Sequence, residues 1–74
     1  MKTISNNNTQ SKIGNNIKRL RQQKSISQDR LSKLADLSLN TVVTVESGTN
    51  TNPTIDTLTR ISKALNVGVY DLIK

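Results

Sequence analysis

The sequence predicts a compact all-α domain of five short helices. Three observations predict it. Apolar residues recur at the three- and four-residue spacing of a helical face in successive segments. Ser, Thr and Gly residues placed to start or stop helices divide those segments into short pieces. The one stretch with strand propensity, "TVVTVE" at 41–46, has no second strand to pair with. A chain of 74 residues is one domain with a single small core.

Residues 1–11 are polar and Asn-rich without a period, and are expected to be a disordered tail; the domain is expected over 12–74. Ile13, Ile17 and Leu20 mark a first helix from about Lys12 to Gln23. Ser27 is a suitable N-cap for a second helix ending near Asp36. Asp29 lies in its first turn, and Leu31, Leu34 and Ala35 form an apolar face. Ser38 can cap a third helix and Gly48 can end it in the left-handed region. That frame puts "TVVTVE" inside a helix, although β-branched residues cost a few tenths of a kcal/mol each there. Thr54 caps a fourth helix carrying Asp56 in its first turn and Ile55, Leu58, Ile61 and Leu65 on its face. "NVGV" breaks the pattern, and "VYDLI" makes a fifth helix. Tyr70, Leu72 and Ile73 are expected mostly in the core, with Tyr70 and Val69 also offering an apolar edge to a dimer partner.

Composition narrows the function. Only 1% of residues are aromatic, so the core must be Leu, Ile, Val and Ala. Without Cys or His, thiolate chemistry, disulfides and the commonest general base and metal ligand are excluded. Glu46 is the only Glu, and the four Asp residues fall on helical surface positions. No catalytic residue, metal site or cofactor is therefore expected. A net charge of +6 points instead to a polyanion, either nucleic acid or an anionic membrane surface. No apolar run approaches the ~20 residues that span a bilayer, and the N-terminus lacks the apolar centre of a secretory signal. A cytoplasmic protein is the expectation.

Helices two and three, "SQDRLSKLADLSLNTVVTVESG", are short, amphipathic and joined by about three residues, as in a helix-turn-helix. With "IKRLRQQKSISQDRLSKLADLS" and "TVVTVESGTNTNPTIDTLTRISKALNVGVYDL", the chain resembles the Cro/repressor-type (Xre-type, lambda-repressor-like) regulators over about 12–74. The carriers are Gln28 after the cap, then Thr41, Val42, Val45, Glu46 and Gly48, then Pro53, Leu58, Ile61, Ala64, Leu65 and Val67. The tail with "TNP" looks like small bacterial stationary-phase and biofilm regulators of that family. Ser32 stands where the family usually has Ala at the helix crossing, and Asp36 where it usually has a left-handed Gly. The resemblance implies a lambda-repressor-like fold and a sequence-specific transcriptional regulator. It implies a repressor that binds a palindromic operator as a homodimer through the major groove. It also implies a bacterial or phage-type cytoplasmic protein, nucleoid-associated when bound, with a protein antagonist as a possible further partner. Two other functions fit the composition: an antitoxin-like or antirepressor protein-interaction module, and a nonspecific basic nucleic-acid binder.

On the third helix Val42 and Val45 are expected inward, leaving Leu39, Asn40, Val43 and Thr44 outward after the Ser38 cap. Asn can bond adenine N6 and N7 together, and Leu39, Val43 and the Thr44 methyl can pack on thymine methyls. This face has no Lys or Arg, so A·T-containing positions are expected over guanine contacts. Backbone affinity is expected from some of Lys12, Lys18, Arg19, Arg21, Lys24, Arg30 and Lys33. By resemblance, Gln28 touches a phosphate and braces the recognition helix. Thr41, Ser47 and the amides of Asn50, Thr51 and Asn52 are further phosphate contacts, and Arg21 pairs with Glu46.

Overall fold

Three hydroxyl side chains set where helices begin. Ser27 accepts from the Arg30 amide, Ser38 from Thr41 and Thr54 from Thr57, each satisfying a donor that has no partner within its helix. The computed structural model describes the backbone of residues 8–74 and the side chains of 12–74. The helices are α1 (Asn8–Gln23), α2 (Gln28–Ala35), α3 (Leu39–Ser47), α4 (Ile55–Ala64) and α5 (Tyr70–Ile73), with no strand among the described residues. The all-α, five-helix expectation holds. "TVVTVE" is helical, and α1 starts at Asn8 rather than at Lys12. The expected tail lies, over residues 1–7, outside the described residues.

Left-handed residues turn the chain at the helix ends. Gly48 (φ 83°) ends α3. Ser25 (φ 57°), Asp36 (φ 58°) and Asn66 (φ 60°) take the same conformation without being Gly, after α1, α2 and α4. The following amides then reach back: Ile26 to the Arg21 carbonyl, Leu37 to Ser32 and Val67 to Ser62, at 3.2, 2.9 and 2.9 Å. Asp36 therefore serves the turn between α2 and α3 in place of Gly.

The core is aliphatic: Ile17, Leu31, Val42, Val45, Leu58, Ile61, Leu65 and Leu72. α1 packs on α3 and α5, α2 packs on α3 and α4, and α4 meets α5. Asn16 on α1 is buried, and its Nδ2 donates to the Leu72 carbonyl at 2.9 Å, tying α1 to α5. Two residues expected on apolar faces, Leu34 (48%) and Ile55 (70%), and two expected mostly in the core, Tyr70 (70%) and Ile73 (46%), are exposed instead. On α2 the buried positions are Leu31, Ser32 and Ala35, a narrow stripe that leaves Leu34 to one side. Ile55 precedes the buried stretch of α4, which begins at Leu58. α5 is barely one turn, so only one side chain, Leu72, points inward.

Candidate nucleic-acid interface

α3 sits on the core through Val42 (0% exposed) and Val45 (2%). Its outer face begins with Leu39 (43%) and Val43 (38%), with Asn40 also exposed and Thr41 and Thr44 half-buried. The hydroxyls on this helix are engaged locally. Ser38 and Thr41 share a hydrogen bond at 2.8 Å. Thr44 Oγ1 lies 2.9 Å from the Asn40 carbonyl, and Ser47 Oγ donates to Thr49 Oγ1 at 2.9 Å. Asn40 is the one side chain of α3's outer face with free amide donors and acceptors together.

The far end of α3 is anchored by Glu46. Arg21 Nε and Nη2 donate to its two carboxylate oxygens at 2.7 and 3.1 Å, a two-pronged pair with both side chains largely buried (12% and 4% exposed). Arg21 also donates to the Ile26 carbonyl at 2.8 Å, binding the α1–α2 turn to the same point. Gln28 Nε2 donates to Glu46 Oε1 at 3.1 Å. Three segments, α1, the start of α2 and the end of α3, therefore converge on one carboxylate.

Gly14 is a member of this arrangement that the sequence reading missed. α1 crosses the end of α3 so closely here that a Cβ on Gly14 would overlap the Glu46 carbonyl oxygen and lie 2.9 Å from the Val45 oxygen. An isolated Gly inside a helical pattern, as in "KIGNNIK", is the signal that could have shown it. Ser32 meets the opposite requirement between α2 and its neighbours. It is buried, and its hydroxyl donates to the Asp29 carbonyl at 2.6 Å, so a polar group replaces the usual Ala without being left unpaired.

Among the basic residues, Arg21 is committed to Glu46, Lys33 pairs with Asp29 at 3.0 Å, and Arg60 bridges Asp56 and Asp36 at 2.9 and 3.3 Å. The Asp56 carboxylate, and less so Asp36, hold the Arg60 guanidinium above its ordinary pKa. Lys12, Lys18, Lys24 and Arg30 are exposed on α1, the α1–α2 turn and α2, and no ion pair among the described residues engages them. The loop after α3 differs from expectation in one respect. The Asn50 amide donates to the Thr44 carbonyl and the Asn52 amide to Asn50 Oδ1, both at 3.0 Å. These two amides hold the loop's own shape, so they are not open donors.

The sequence matches the Helix-turn-helix family over residues 17–72. No curated protein matches it. Among solved structures, the restriction-modification controller protein C.AhdI from Aeromonas hydrophila is similar. It shares 28% sequence identity over 85% of this chain and 94% of that one, with a TM-score of 0.81.

Proposed function

The chain belongs to the helix-turn-helix family, and from that premise we propose that it is a DNA-binding transcriptional regulator acting as a repressor. It binds a palindromic operator as a homodimer, each copy laying α3 in the major groove. The observation that carries this reading is the seating of α3. One face is buried, its end is clamped by Arg21, Gln28 and Gly14, and Leu39, Asn40, Val43 and Thr44 are left for the bases. Ser38, Thr41, Ser47, Asn50, Thr51 and Asn52 flank that face and touch the phosphates, as does Gln28 at the start of α2. The unpaired cations Lys12, Lys18, Lys24 and Arg30 supply the salt-dependent attraction to the backbone. The likeness to a restriction-modification controller protein supports the regulatory part of this reading.

In vitro selection from a random duplex library with the purified chain tests it. The expected product is a symmetric site whose half-sites lie about 34 Å apart, one helical turn. Enrichment of no sequence at all, with equal retention of every duplex, would reduce the protein to a nonspecific binder.

A further inference from the structure

The outer face of α3 carries chemistry more specific than a preference for A·T pairs. Leu39 and Val43 are both exposed, at 43% and 38%, four positions apart on one helix. At 1.5 Å per residue they stand about 6 Å apart along the axis, close to two base steps of 3.4 Å. Neither can accept or donate a hydrogen bond. The major-groove feature of a base pair that rewards an aliphatic side chain is the methyl group on C5 of a pyrimidine. No cation on α3 is available for guanine O6 and N7, because the helix contains no Lys or Arg. Its one carboxylate, Glu46, is held by Arg21 and Gln28 and cannot accept from cytosine N4.

The geometry points to a recognition helix that reads C5-methyl groups, at two pyrimidines about two base pairs apart in each half-site. It therefore takes 5-methylcytosine better than cytosine wherever it takes thymine. This inference rests on the reading of α3 as the base-contacting element. A thymine and a 5-methylcytosine present the same methyl at the same place in the groove; they differ at position 4, where one has an oxygen acceptor and the other an amino donor. Leu39 and Val43 are indifferent to that difference. Binding at such a site consequently responds to cytosine C5 methylation of the DNA.

The test uses the unaltered protein and the operator obtained by selection. Each thymine is replaced singly by deoxyuridine, which removes the methyl and nothing else. Two positions in each half-site are expected to weaken binding about fourfold each, the worth of one buried methyl. At those positions, duplexes with 5-methylcytosine are expected to bind about fourfold more tightly than duplexes with cytosine. Leu39→Ala and Val43→Ala, both surface changes checked for folding by circular dichroism, should each abolish the methyl effect at one of the two positions. Full affinity with deoxyuridine at every thymine, or a selected site without thymine, would overturn the methyl reading while leaving sequence-specific binding intact. Failure to select any site would instead overturn the functional reading, and this inference with it.

Discussion

Glu46 is the residue on which most depends. Its side chain is 4% exposed and its carboxylate holds Arg21 and Gln28, so removing it strands a guanidinium in a largely buried position. Glu46→Ala is expected to lower stability by about 3 kcal/mol. Asp29→Ala, which breaks an exposed pair with Lys33, should cost about 0.5 kcal/mol or less. Urea midpoints compare them, and equal midpoints would refute the clamp. Asn16→Ala leaves the Leu72 carbonyl without its buried donor and is expected to cost about 1–2 kcal/mol in the same measurement. At this scale the site was partly legible. The exposure of Val43 follows from its spacing against Val42 and Val45, because a helical period places it off the buried face, while Leu39, three positions before Val42, is exposed at the first position of α3. The state of the loop amides was not legible. Whether Asn50 and Asn52 donate inward depends on how the loop folds back on Thr44, and no residue type encodes that.

Among the elements, α3 is the one least able to stand alone. It is short and rich in β-branched residues, so its helicity comes from the buried Val42 and Val45 and from its caps. A peptide spanning 38–48 is expected to show no helical circular dichroism in water; a strong helical signal would mean that local preference, not packing, forms it. The contact of α1 with α3 gives a second prediction. Gly→Ala inside a helix ordinarily stabilises by roughly 0.5–1 kcal/mol. At Gly14 the added methyl meets the Glu46 carbonyl, so Gly14→Ala is expected to destabilise by about 1–3 kcal/mol. Asn15→Ala, at an exposed neighbouring position, should not destabilise at all. Helix starts were legible because Ser27, Ser38 and Thr54 are chemically committed caps. The breaks at "KSISQ" and "NVGV" were legible too, but not the left-handed conformation of Ser25, because Ser has no special preference for it. Leu34, Ile55, Tyr70 and Ile73 misled because apolar spacing marks a face without saying how much of it a neighbour covers.

For the whole molecule, charge and titration set the behaviour. With no His and no Cys, no side chain has an ordinary pKa between pH 5.5 and 7. Stability and DNA affinity are expected to be flat over that range. The Asp71 carboxyl is held below its ordinary value by Lys74 and then by the Gly68 amide. A depressed carboxyl contributes stability above its unfolded-state value and loses it as pH falls through the lower folded-state value, so its effect belongs to strongly acid solution. Affinity for random DNA should fall steeply with salt, while the ratio of selected to random DNA stays large. The central claim is that α3 reads bases while the cations around it only attract the backbone. Asn40→Ala tests that most directly, by measuring affinity for the selected site and for random duplex side by side. The account predicts a loss of about 10- to 100-fold on the selected site, a relaxed preference for adenine at one position in each half-site, and unchanged binding to random DNA. An equal loss on both duplexes, or no loss on the selected site, would contradict it.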